Sequence, residues 1–79
     1  MIIKALTPAV DIALTPSTVS DSGLMSVINT NGSATLLTVG AGTVMVAAGE
    51  RVVVEKVSGD TITADAASGV WATGVAYKA

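Results

Sequence analysis

Residues 49–65 read GERVVVEKVSGDTITAD. A valine triplet bracketed by Glu50-Arg51 and Glu55-Lys56 is followed by the turn-forming cluster Ser58-Gly59-Asp60, and then by a second β-branched run, Thr61–Ala64. Branched side chains at Cβ suit a pleated strand and crowd a helix, so this stretch predicts two short strands joined by a corner. Successive side chains on a strand point to opposite faces. Val52, Val54 and Lys56 therefore share one side, and Arg51, Val53, Glu55 and Val57 share the other. The first set is expected to line a core together with Ile62 and Ala64 from the next strand of a hairpin. The second forms a small outward patch suited to a partner.

The same grammar extends along the chain. Strands are expected at Met1–Leu6, Val10–Leu14, Leu24–Asn29, Ala34–Val39, Thr43–Val46, Arg51–Val57, Thr61–Ala64 and Val70–Tyr77. Pro8 and Pro16 cannot donate to a ladder and mark breaks or edges. Asp21-Ser22-Gly23 reads as a turn, Asn31-Gly32 as a hairpin signal, and Gly40-Ala41-Gly42 and Ala47-Ala48-Gly49 as two further corners. Ala66–Gly69 is a small-residue connection suited to crossing between sheets. Short strands at this spacing, carrying small side chains, fit a compact two-sheet β-sandwich of about seven to eight strands, Ig-like or jelly-roll-like, over residues 1–79 as one domain.

Composition narrows what such a domain does. With 79 residues, no cysteine and no histidine, neither disulfides nor the commonest metal ligands reinforce a thin core. Association is the remaining route, and a homo-oligomer, for instance a trimer, is expected. Charged residues make up 13% of the chain, against about 25% in an ordinary soluble domain. The surface must be rich in Thr, Ser and Ala, whose neutral groups lose little hydration when a partner covers them. The net charge of −2 is spread thinly, with no basic stripe and with Trp71 and Tyr77 the only aromatics, which argues against nucleic acid. The apolar start is interrupted by Lys4 and Pro8, unlike a signal peptide, and no apolar run approaches the ~20 residues of a membrane span.

The chemistry-bearing side chains are few. Without histidine and cysteine the usual bases and one of the usual nucleophiles are missing. Asp60 and Asp65 stand at opposite ends of a short strand, as turn and strand-end residues do. Ser20-Asp21-Ser22 lacks the dense acidic spacing of a calcium loop, and Gly40-Ala41-Gly42 leads into a strand, not the helix a phosphate loop needs. Neither cofactor nor metal is expected. Trp71 and Tyr77 are candidates for core filling, for a subunit interface or for stacking on a sugar. Arg51 and Glu55, with Glu50 and Lys56, either guard a strand edge against pairing or set register through interchain ion pairs. The partner interface expected from sequence is Arg51, Val53, Glu55, Val57, Trp71 and Tyr77.

Three segments, LMSVINTNGSATLLTV (24–39), AAGERVVVEK (47–56) and DTITADAASGVWATGVAYK (60–78), resemble in order and layout the small β-rich head proteins of tailed phages, particularly marine and cyanobacterial ones. The likeness spans roughly the last two-thirds of the chain and carries no catalytic motif. It implies a non-enzymatic virion protein, located in the virion and decorating or cementing the capsid by contact with the major capsid protein. A tail or fibre module that adheres to a host glycan or protein is the alternative.

Overall fold

The computed structural model of the chain describes residues 2–14, 16–19, 23–57, 59–66 and 68–78. They form eight strands: β1 (Ile2–Ala5), β2 (Val10–Asp11), β3 (Leu24–Asn29), β4 (Thr35–Val39), β5 (Gly42–Val46), β6 (Arg51–Glu55), β7 (Ile62–Ala64) and β8 (Val70–Lys78). Two antiparallel sheets result. In the first, β3 lies between β6 and β8, and β8 pairs on its other side with β1 along one half and β2 along the other; in the second, β4 lies between β5 and β7. The fold is all-β and matches a small sandwich, as the period-2 patterning requires.

The core is where the inner faces of the two sheets meet. Met25 and Val27 of β3, Leu37 of β4, Val46 of β5, Ile62 and Ala64 of β7, and Val70 and Ala72 of β8 are buried there with Ile12, and Val52 and Val54 pack against them. The register explains the assignment: Val54 lies opposite Met25 and Val52 opposite Val27, so both valines share the core-facing side. Val53 and Arg51 lie opposite Ser26 and Ile28, on the outer side. The two faces read from the valine triplet are those the fold uses.

Three expectations change. First, β6 and β7 are not hairpin partners: β6 pairs with β3 and β7 with β4, in opposite sheets. The turn between them, with Gly59 at φ +93 and Asp60 N–H donating to Val57 O at 2.9 Å, carries the chain across the sandwich. Ile62 and Ala64 belong to the core cluster against which Val52 and Val54 pack, but they come to it from the opposite sheet. Second, Asn31-Gly32 is not a hairpin turn. Neither residue has positive φ, which a two-residue Asn-Gly hairpin requires, and β3 and β4 belong to different sheets. Third, Val10–Leu14 is not one strand. Ile12 donates its N–H to Val70 O of β8 and accepts at its carbonyl from Ala64 N–H of β7. The chain therefore switches sheets at this residue and lines that side of the sandwich beside β7 through bridges at Ala13 and Ser17.

On the opposite side no further strand is added among the described residues. β5 and β6 end their respective sheets and are joined by Ala47-Ala48-Gly49-Glu50, where Glu50 N–H donates to Ala47 O and the Glu50 carboxylate caps Ala47 N–H, both at 3.0 Å. Gly49, at φ +73, supplies the third residue of this type II turn. The connection expected at Ala66–Gly69 lies between β7 in the second sheet and β8 in the first, with Ala67 outside the described residues.

Candidate docking face

The outer face of the first sheet gathers most of the residues expected to meet a partner. Ile28 of β3 lies opposite Arg51 of β6 on one side and opposite Trp71 of β8 on the other. Trp71, Ile28 and Arg51 therefore form a row across three strands, about 10 Å from end to end at ordinary strand spacing. The neighbouring row is Thr73, Ser26 and Val53, with Leu24 and Glu55 opposite each other beyond it. Trp71 is 42% exposed, Arg51 and Glu55 are exposed, and Ile28 and Val53 are half covered. The row is mostly neutral, with an indole at one margin and a guanidinium at the other.

Each position follows from strand alternation. β3 sends Met25, Val27 and Asn29 inward, leaving Ser26 and Ile28 outside; β8 sends Val70 and Ala72 inward, leaving Trp71 and Thr73 outside. Ser26 is 7% exposed despite facing outward, because Val53 and Thr73 flank it. Among the expected interface residues, Arg51, Val53, Glu55 and Trp71 come together. Val57 lies past the end of β6, where the chain leaves for β7, and is strongly exposed without joining the row. Tyr77 pairs with Ile3 through the backbone at the far end of β8, about 20 Å along the strand from Trp71, and its side chain is outside the described set. Ile28, Ser26 and Thr73 belong to the face although sequence reasoning omitted them. The signal was an apolar Ile28 on the side of its strand opposite Met25 and Val27.

β6 is an edge strand, and Arg51 and Glu55 stand at its two ends. Charges so placed hinder edge pairing with a stray strand while leaving the outer face free.

The acidic residues do not converge. Asp60 packs its carboxylate where a side chain on Gly40 would stand, and Asp65 donates its N–H to Leu36 O. Asp11 has a different role. Its carboxylate accepts from Ala13 N–H at 3.0 Å and from Gly69 N–H at 3.1 Å, and these bonds, the Ala13 one foremost, hold it below the ordinary 3.8. It fastens β2 to the loop entering β8. The Ser20-Asp21-Ser22 candidate lies outside the described residues. Among the described residues no cluster of three acidic, cysteine or histidine side chains is present, and no helix is long and apolar enough to cross a membrane.

Compared with known protein families, characterised proteins and solved structures, the chain and its fold give no significant match.

Proposed function

We propose that this protein is a structural, non-enzymatic component of a phage head that docks on the major capsid protein through the outer face of its first sheet and reinforces the shell. The observation that supports this reading most is the row Trp71–Ile28–Arg51 across three strands of one sheet face, beside Ser26, Val53 and Thr73. Tryptophan and arginine are the side chains that most often carry interface energy, and neutral Ser and Thr around them are readily desolvated. A partner that binds only the folded domain also stabilises it by mass action, which suits a chain with so small a core.

Trp71 is the only tryptophan, so its fluorescence reports the docking face directly. Addition of empty shells assembled from the major capsid protein should shift its emission to the blue, and Val53→Asp, which puts a carboxylate in the middle of the face, should abolish the shift. Leu36→Ala, on the opposite sheet, should leave it intact. A shift produced instead by soluble oligosaccharides, with none from shells, would replace this reading with the adhesion module, since an exposed Trp71 on the same face as the Thr73 hydroxyl is also a sugar-stacking arrangement.

A further inference from the structure

We infer that the free edge of β5 pairs with β5 of a second copy of this chain, antiparallel and centred on Val44, so that two second sheets become one continuous sheet. This goes beyond the docking reading and uses a different surface.

β5 ends the second sheet, and Gly42, Thr43, Val44 and Met45 are all exposed. From Val39 to Gly49 the sequence VGAGTVMVAAG contains no charge and no proline. Charge and proline are two of the devices by which natural sheets protect an edge. The contrast with β6, whose edge carries Arg51 and Glu55, is internal to the molecule. An uncharged edge accepts a partner strand that is itself uncharged, because a charged one would lose hydration against Val44 and Met45 with no counter-ion beside it. β5 of another copy meets that requirement.

The hydrogen-bonding groups set the register. β4 and β5 are joined by the two-residue turn Gly40-Ala41, with Val39 opposite Gly42, Leu37 opposite Val44 and Thr35 opposite Val46. The closing pair of such a turn is hydrogen-bonded, and bonded pairs then alternate. Gly42, Val44 and Val46 therefore bond to β4, while the N–H and C=O groups of Thr43 and Met45 point to the open edge. A two-fold axis at Val44 places Thr43 opposite Met45 of the other copy and satisfies all four groups on each strand. Pairing of this kind is isologous and closes at two chains.

Val44 supplies a second, independent observation. It lies on the core-facing side of β5, opposite the fully buried Leu37, yet it is 39% exposed, whereas its strand neighbour Val46 is fully buried. The core is left unfinished at this position. In the paired arrangement Val44 meets Val44 of the other copy in a non-hydrogen-bonded pair, where side chains approach most closely, and the gap is closed.

The test exploits the absence of native cysteine. Non-hydrogen-bonded antiparallel pairs have Cα atoms about 4.5 Å apart, within the range a disulfide spans. Val44→Cys should oxidise to a covalent dimer at least tenfold faster than Val57→Cys, a comparably exposed or more exposed site on the far turn. Sedimentation of the unmodified protein should show a species of twice the 7.8 kDa chain mass, and Thr43→Pro should return it to monomer. That proline removes only an outward N–H, so the domain keeps its circular dichroism. A wild-type monomer at several hundred micromolar, equal oxidation rates at 44 and 57, or an unchanged dimer in Thr43→Pro would each overturn the inference. Loss of shell docking in Val53→Asp with the dimer retained would separate the two surfaces.

Discussion

Asn29 sits fully buried at the point where β3 leaves the first sheet, and its amide holds three segments together. Its Nδ2 donates to Ser33 O at 2.9 Å, Val46 O at 3.2 Å and Ala47 O at 3.3 Å, while its Oδ1 accepts from Asn31 N–H at 3.0 Å and from the Asn31 amide at 3.2 Å. Asn31 in turn donates to Ser68 O, and Thr30 to Gly69 O. Here the Asn-Gly signal was misleading: the asparagines serve as tethers between corners, and side-chain hydrogen bonds, unlike turn propensity, leave no periodic trace in sequence. Asn29→Asp replaces the donor with an acceptor facing three carbonyls and should cost about 2–4 kcal/mol in thermal or urea unfolding. Thr35→Val tests the converse. Thr35 Oγ1 is buried without a hydrogen-bond partner among the described residues, so exchanging its hydroxyl for a methyl should leave stability unchanged or raise it by up to about 1 kcal/mol. Asp11 gives the pH dependence. Because the fold lowers its pKa, its contribution is fully present above the unfolded value of 3.8 and is lost as pH falls through the lower folded value. Asp11→Asn should therefore melt below the wild type at pH 7, and the gap should narrow below about pH 4; an equal deficit at both pH values would refute this role.

At the scale of elements, β6 shows how far alternation carries. The valine triplet divides as its period demands, with Val52 and Val54 inward and Val53 outward among Arg51 and Glu55. Val54→Asp should therefore destabilise the domain by about 3 kcal/mol by placing a charge against the core, and Val53→Asp by no more than about 1 kcal/mol. Equal losses in the two variants would mean that the outer face is covered within the single chain. Strand positions were legible for the same reason, to within a residue or two at β3, β4, β5 and β8. Strand partners were not, because which sheet a strand joins depends on where the chain crosses the core. The crossings at Ile12 and between Val57 and Ile62 are made by backbone hydrogen bonds available to any sequence. The corner at Gly40-Ala41 was legible, and it closes the β4–β5 hairpin. Gly40 takes φ +57, and a Cβ there would stand 2.7 Å from Asp60 Oδ2. Gly40→Ala should cost about 1–2 kcal/mol from the left-handed backbone, before any displacement of Asp60.

For the whole molecule, one side of the sandwich is lined by Ile12, Ala13 and Ser17 beside β7, and the other ends in the two strands β5 and β6, of which only β6 is guarded by charge. The domain measures 32 × 25 × 20 Å, and its outer sheet face and its uncharged β5 edge are the two surfaces proposed for partners, whose binding to the folded form would add stability to a thin core. The outer face proposed for docking was half legible: Arg51, Val53, Glu55 and Trp71 share it by strand alternation, whereas the positions of Ile28, Ser26 and Thr73 beside them required knowing that β3 lies between β6 and β8. The proposed capsid role requires many copies of this chain in a repeating arrangement on each shell, which quantitative mass spectrometry of purified phage particles measures directly. Hundreds of copies per particle, in simple proportion to the major capsid protein, are expected. A handful of copies, or none, would contradict it.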